Sequence, residues 1–393
     1  MRLLVSGGAG LIGSHVVDAL REAGYGVRVL DALASPVHRM RPRWLRQDVE
    51  YIFGDIRDPH ALRAALRDIE IMVHLAAFGG FAPDRARYFD VNVTSYARML
   101  EVIAQYRLPL SRAIVASSQA VYGEGAARCD AHGESVGLTR DIEDLSVGNW
   151  SVRCRECAQL THPVPTREDV ICPITPYALS KHFMEEVAKR LGVAQGIGTT
   201  ILRFGLTFGP RQSLTNPYCG IIPLFARRIV DGQPVLVYED GLQTRDFIFV
   251  RDVASAIVKT IEDERAVGAT YNVATGRATA VLDVITELAA LARRPANIDF
   301  PSWFRVGEVR HLAIDCSRIH TLGWRPCVSL KDGLAEFLEW YRAQPKTPDP
   351  LPWGVATMQR HGVIRRTQEA PANTRWGSGV QVPPMAQQQA SPR

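Results

Sequence analysis

The 393-residue chain has no long hydrophobic run. Its apolar stretches, such as "RAIVASS" and "IVKTI", fall far short of the roughly 20 residues that a membrane-spanning helix needs. It also lacks a cysteine framework: seven cysteines are an odd number without regular spacing. That argues against a disulfide scaffold and predicts a reducing, cytoplasmic compartment. Basic residues are not clustered. The formal net charge is +5, but the cations are scattered as on a solvated surface, so nucleic acid is not an expected partner. No internal repeat is present. The opening "MRLLVSGGAG" is broken at once by glycine and reads as a first strand rather than a secretory signal. What remains, at 46% hydrophobic and 22% charged residues, is an ordinary globular composition.

Short apolar runs alternate with amphipathic ones through the first half: "RLLVSG", "GVRVLDA", "VEYIFGDI", "IEIMVHLAA" and "RAIVASS" are separated by helix-like segments. This pattern predicts an α/β fold, a doubly wound parallel sheet of Rossmann type. We expect a dinucleotide-binding domain over 1–205, with an insertion at 125–168. A smaller α+β substrate-binding domain is expected over 206–342, interleaved with returning sheet elements at about 246–275. From 345 the chain turns proline-rich and then loses periodicity, which predicts a disordered or loosely attached tail over 345–393.

Gly7, Gly10 and Gly13 stand in "GGAGLIG", between the first strand and the first helix. Glycine there allows a tight turn and lets backbone amides approach a pyrophosphate at a helix N-terminus. Asp31, ending the second strand, is placed to accept from the ribose hydroxyls and to repel a 2′-phosphate, which favours NAD over NADP. Asp55 after the third strand and Ala76 and Ala77 after the fourth are weaker candidates, since small residues at strand ends are also common packing choices.

Cys129-x-x-His132 is followed after 21 residues by Cys154-x-x-Cys157. These are the residue types and spacings of a four-coordinate zinc site without an open position, hence a structural one. The alternative is four unlinked residues in a variable loop. A segment of some 40 residues rarely stays structureless inside a compact domain, which favours a clasp.

Tyr177 and Lys181 in "YALSK" lie one helical turn apart on one face. A phenol near its reference value of about 10 is a poor base at neutral pH. A neighbouring ammonium and a nicotinamide cation would lower it. Ser118, at the end of the "RAIVASS" strand, could share the substrate proton. Alone, Tyr-x-x-x-Lys occurs by chance on many helices; after a dinucleotide fingerprint it carries weight.

Taken together, "GGAGLIG", "HLAA", "SSQAVYG", "YALSK", "TRDFIFVRDVA" and "GEVRHLAIDCSRIHTLGW" resemble the extended short-chain dehydrogenase/reductase family over about residues 1–342. The resemblance implies Ser118, Tyr177 and Lys181 as catalytic triad. It adds Leu11, Ile12, Ile56, Leu75 and Asn92 to the cofactor set, together with Tyr177 and Lys181. It implies Ser118, Gln119, Asn216, Gly220, Arg245 and Arg310 as contacts for a nucleotide-diphospho-sugar, the two arginines on the diphosphate. Unaided, either arginine would pass for a surface residue. The family also implies a homodimer through helices around 86–106 and 176–191, paired as a four-helix bundle.

Dehydratases and decarboxylases of this family usually carry an acid two places before the tyrosine of "VYG". Here that position is Ala120, which leaves hydride transfer plus one proton transfer and implies an NAD-dependent 4-epimerase acting through a 4-keto intermediate. A 4-ketoreductase using NAD(P)H and a non-catalytic dinucleotide-binding sensor are the alternatives. Where the family commonly has asparagine three residues after Arg203, this chain has Leu206. Within the family, the Cys/His arrangement is similar to that of a subgroup of dTDP-6-deoxyhexose 4-epimerases.

Overall fold

The computed structural model describes residues 2–368. Strands β1 (Arg2–Ser6), β2 (Gly26–Asp31), β3 (Glu50–Phe53), β4 (Ile71–His74) and β5 (Arg112–Ser118) join the strands Gly198–Phe204 and Thr270–Val273 in one sheet. Seven strands, all parallel, run Thr270–Val273, Gly198–Phe204, β5, β4, β1, β2, β3 across it. This is the doubly wound Rossmann-type architecture expected from the alternating pattern.

The continuous apolar strands have a physical reason. Successive side chains point to opposite faces, and both faces are covered. Leu3 and Val5 of β1 enter one core with Val16, Val17 and Leu20 of helix α1 (Leu11–Glu22). Leu4 between them enters the other, with Leu62 and Leu66 of the helix Pro59–Leu66 and Met99 and Ile103 of the helix Ser95–Tyr106. The helix Val250–Glu262 packs against α1, so the chain returns to the sheet after leaving it. A third core lies around Phe208, Phe225, Phe249, Val284 and Phe337, away from the sheet.

Residues 126–164 form an antiparallel sheet of three short strands, with Ala126–Cys129 between Gly133–Val136 and His162–Val164. Its own buried apolar cluster is only Ala127, Leu138 and Val152, too little to order a segment of this size by hydrophobic burial alone.

The predicted loose tail needs correction over 345–368. A helix, Leu351–Arg360, follows the proline-rich run, and the strand Ile364–Arg366 pairs antiparallel with Trp303–Arg305. The prolines do not prevent a helix because they sit at its start: Pro350 is the N-cap and Pro352 lies in the first turn. Leu351, Val355, Met358 and Ile364 are buried. The remainder of the predicted tail, 369–393, lies outside the described residues. Among the described residues no helix is long and apolar enough to cross a membrane.

Candidate active site

The C-terminal ends of β1, β4 and β5 converge where the strand order reverses, the usual ligand crevice of such sheets. The turn after β1 is as tight as the glycines suggest. Gly7 has φ +73°, and a Cβ on Gly13 would stand 2.1 Å from the Gly7 carbonyl oxygen. That cradle at the N-terminus of α1 suits a pyrophosphate. Asp31 faces it: its carboxylate accepts from the Ala9 amide at 2.9 Å and the Leu33 amide at 2.8 Å. Since a carboxylate offers about four acceptor positions, ribose hydroxyls can still be received. The glycine turn, the helix N-terminus and Asp31 together fit NAD.

Asp55 is gripped by Arg57, which holds its carboxyl below the ordinary value against some burial. Ile56 is buried below the sheet end. Leu75 continues β4 through its amide, which donates to the Ser6 carbonyl, and the Ala76 amide donates to the Ser6 hydroxyl at 3.3 Å. Ala77 follows in the same turn. Asn92 is a brace. It lies fully buried in a π-helical turn, Asp90–Thr94, accepts from the Phe78 amide, and donates to the Phe78 carbonyl and the Ser180 hydroxyl. Both its N–H groups are thus engaged within the chain.

Ser118 ends β5 and Tyr177 opens the helix Pro176–Val187, whose N-cap Thr175 accepts from the Ala178 amide at 3.1 Å. Both line one cavity of about 390 Å³. Burial pushes the Tyr177 phenol up, and a hydrogen bond with Ser118 pulls it back. This differs from the expectation of a phenol depressed by Lys181. The Lys181 ammonium is turned onto the Ala116 carbonyl at 2.7 Å, and burial holds its pKa down to about 8 against the charge of Glu185. Glu185, one turn beyond Lys181, is fully buried. It receives Ser117 at 2.5 Å and Arg203 at 2.9 and 2.7 Å, which locks β5 to the catalytic helix.

The same cavity is lined by Ile12 beside the glycine turn and by Gln119, Gly220 and Arg245. Two of the residues predicted to bind substrate are elsewhere. Asn216 accepts from the Tyr218 amide and does not line the cavity. Arg310 is buried and forks onto Asp240 at 2.6 and 2.7 Å, with Glu239 at 3.2 Å. Arg305, which sequence reasoning missed although it lies three residues before Glu308 in "FRVGE", lines the cavity. Its guanidinium rests 4.2 Å from the Phe81 ring and 5.0 Å from the Tyr238 ring, and bonds Glu308 at 2.5 Å. Arg245 bonds the other Glu308 oxygen. Glu308 is buried, which opposes its charge, but Arg305 and Arg245 hold its pKa at about 2. Glu239 lines the cavity as well, but its carboxylate is taken up by Arg140 and Arg310, so the guanidiniums of Arg245 and Arg305 on Glu308 are the fixed-charge donors that the cavity can turn to an anion.

Arg140, from the insertion, reaches under this site. Its side chain is 2% exposed. It donates to Glu124 at 2.8 Å, to Glu239 at 2.9 and 3.0 Å, to the Trp150 carbonyl at 3.2 Å and to the Glu308 carbonyl at 2.6 Å. No motif flagged it.

The four Cys/His residues come together. The ligand atoms of Cys129, His132, Cys154 and Cys157 all lie within 4.8 Å of one another. Cys129 Sγ is 3.6 Å from Cys157 Sγ and 3.7 Å from His132 Nδ1, and Cys154 Sγ is 3.6 Å from that nitrogen. Bond lengths of about 2.3 Å to sulfur and about 2.0 Å to nitrogen make the edges of a zinc tetrahedron roughly 3.8 and 3.6 Å. The residues present fit such an ion.

A glycine turn, a Ser/Tyr/Lys constellation and an arginine-bearing cavity at the switch point of this sheet define a dinucleotide-dependent enzyme of short-chain dehydrogenase/reductase type. The profile of the family described as "NAD dependent epimerase/dehydratase family" matches residues 3–141 and 156–274, and the chain belongs to that family. Among its relatives is a dTDP-L-rhamnose 4-epimerase of Burkholderia thailandensis. It is 34% identical over 352 residues, 86% of this chain and 94% of that protein. The crystal structure of a UDP-glucose 4-epimerase of Thermotoga maritima with UDP-glucose is similar with TM-score 0.71 and 28% identity, over 87% of this chain and 99% of that one. A Thermus thermophilus UDP-glucose 4-epimerase in complex with NAD has TM-score 0.68 and 27% identity, over 88% and 100% of the two chains.

Proposed function

We propose that the protein is an NAD-dependent nucleotide-diphospho-sugar 4-epimerase, with Ser118, Tyr177 and Lys181 performing the proton chemistry. The observation that carries this reading is a single cavity that joins the glycine turn at Ile12, the Ser118–Tyr177 pair and the Arg245–Arg305 clamp. NAD, when bound, would take hydride from the sugar C4 and return it to the opposite face. Tyr177 accepts the C4 hydroxyl proton as the hydride leaves and gives it back afterwards. Ser118 hydrogen-bonds the sugar oxygen, and the positive charges of Lys181 and of a bound nicotinamide would oppose the burial that raises the Tyr177 phenol. Arg245 and Arg305 hold the diphosphate by charge-assisted bonds, displacing Glu308 from part of their donor set. With Ala120 two residues before Tyr122, there is no carboxylate at that place for dehydration, and the reaction stays redox-neutral.

A dTDP- or UDP-hexose is the substrate class, and a dTDP-6-deoxyhexose is the first to test, given the 34% relative. Proton NMR of the purified protein with a panel of these sugars and no added cofactor should show inversion at C4, and Tyr177→Phe should abolish it while NAD stays bound. Conversion only of a 4-keto sugar, and only with NADH or NADPH, would instead make the enzyme a ketoreductase.

Zinc held by Cys129, His132, Cys154 and Cys157 would be structural, a clasp for the insertion. The homodimer is supported by Phe183 and Leu191, 46% and 51% exposed on and just after the helix Pro176–Val187. Sedimentation showing a monomer would refute it. Seven free cysteines favour a reducing cytoplasm, which cell fractionation would check.

A further inference from the structure

We infer that residues 345–368 are part of the substrate site: the helix Leu351–Arg360 walls the cavity, and the strand Ile364–Arg366 sets the position of Arg305. This rests on the reading that the cavity receives a nucleotide-diphospho-sugar.

Two side chains of that helix, Leu351 and Met358, line the same cavity as Tyr177 and Arg245. They are 7% and 1% exposed, and they stand two turns apart on one face. The helix is seated closely. A Cβ on Gly354 would fall 2.3 Å from Pro217 Cβ, so only glycine permits this approach to the loop that carries Tyr218 and Gly220 into the cavity. Trp353 packs 6.1 Å from the Tyr218 ring.

Polar contacts fix the segment on either side of the helix. Before it, Asp349 pairs with Arg228 at 2.7 Å, and Thr347 receives Arg227 through its hydroxyl at 2.7 Å. After it, Arg305 is registered against Ile364, the Val306 amide donates to the Val363 carbonyl at 2.9 Å, and the Thr367 amide to the Ser302 carbonyl at 3.0 Å. The arginine that faces the cavity is thus carried on a strand whose antiparallel neighbour is the end of this segment. The Gln368 amide reaches the Ser146 carbonyl at 2.7 Å, which ties the segment to the Cys/His insertion as well.

Leucine and methionine offer no strong hydrogen-bond partner. The part of the ligand resting on this wall is therefore apolar, and a polar group placed there would lose its water without replacement. Leu351 and Met358 are specificity-determining residues by this argument, acting through shape and apolarity rather than chemistry.

The test uses the full chain with Met358→Trp and Leu351→Trp, which fill the cavity from the wall, and Gly354→Leu, which unseats the helix. Binding of dTDP, UDP and their hexose conjugates is measured by calorimetry, and turnover by KM and kcat. NAD content and melting temperature report the fold. The expected result is a rise of about tenfold or more in Kd and KM for the filling variants while NAD content holds, since even one misfitting methylene in an apolar pocket is worth about 10–200-fold. Unchanged Kd and KM in both tryptophan variants, with normal binding by the unmodified protein, would overturn the wall and leave the epimerase reading standing. No binding of any nucleotide or nucleotide sugar by the unmodified protein would overturn both.

Discussion

Arg140 donates through Nη2 to the main-chain carbonyl of Glu308 at 2.6 Å, joining the segment that carries the Cys/His cluster to the loop whose carboxylate holds Arg245 and Arg305. All three nitrogens of the guanidinium are engaged, two of them on carboxylates that are themselves 1% exposed. Breaking such a pair leaves buried charge uncompensated, at about 3–5 kcal/mol. Arg140→Met is therefore expected to lower the unfolding free energy by that order, read from denaturant midpoints. The sign of its pH dependence follows from burial, which already raises Glu124 and Glu239 above the ordinary 4.5. Without Arg140 the folded state binds more protons than the unfolded one over a wider range above that value, so stability falls as pH rises. The loss should be smaller near pH 5 than near pH 8; a loss independent of pH would refute the network.

Lys181 gives a prediction of opposite sign. Its pKa is lowered by burial from 10.5 to about 8, so between those values the unfolded chain holds a proton that the folded one does not, and stability rises with pH. The cost of the buried ammonium, about 3 kcal/mol by linkage, is fully present below pH 8. Lys181→Met should thus stabilise the protein near pH 7, flatten the rise between pH 8 and 10.5, and abolish turnover. If urea titrations show wild type and variant diverging as pH rises, the assignment fails.

The arginines separate by role. Arg245→Met and Arg305→Met should raise KM for the nucleotide sugar by roughly 10–100-fold, since charge-assisted bonds to an anion contribute about 1.5–3 kcal/mol each. Arg310→Met should act on stability first, because Arg310 is committed to Asp240 and Glu239. Steady-state kinetics beside thermal melts would discriminate; a KM effect confined to Arg310 would reverse the assignment.

For the Cys/His cluster, elemental analysis should find about one zinc per chain. Chelation, or Cys154→Ser with Cys157→Ser, should lower the melting temperature while NAD content holds, because the dinucleotide turn is remote in the chain from the insertion. Protein purified under reducing conditions without chelator that carries no zinc would refute the clasp.

Much of this was legible before folding. The alternation of apolar strands and amphipathic helices gave the sheet, and the strand ends located the crevice, because backbone periodicity is local. Ser118 and Tyr177 were legible for the same reason, each defined by its place at an element's end. Arg305 and Arg310 share one irregular segment, where no period says which side chain lines the cavity; only the fold shows Arg305 on its wall and Arg310 paired with Asp240, 70 residues distant. The Asn216 oxygen likewise accepts within its own turn. The C-terminal helix was hidden by its prolines, although Leu351, Val355 and Met358 repeat at helical spacing. Arg140 had no local signature, since its partners come from three distant segments.

The π-helical turn at Asp90–Thr94 has a consequence for register. A π turn accommodates one residue more than an α turn, so the helical segment entering at Arg85 and the one leaving at Ser95 are rotated out of phase with one another. Within this turn Asn92 spans from Phe78 to Ser180. Removing a single residue here would restore a regular and intrinsically better helix, yet it would uncouple the loop after β4 from the helix that bears Tyr177. The chain keeps a local flaw because the phase it sets is what fastens the two walls of the crevice together.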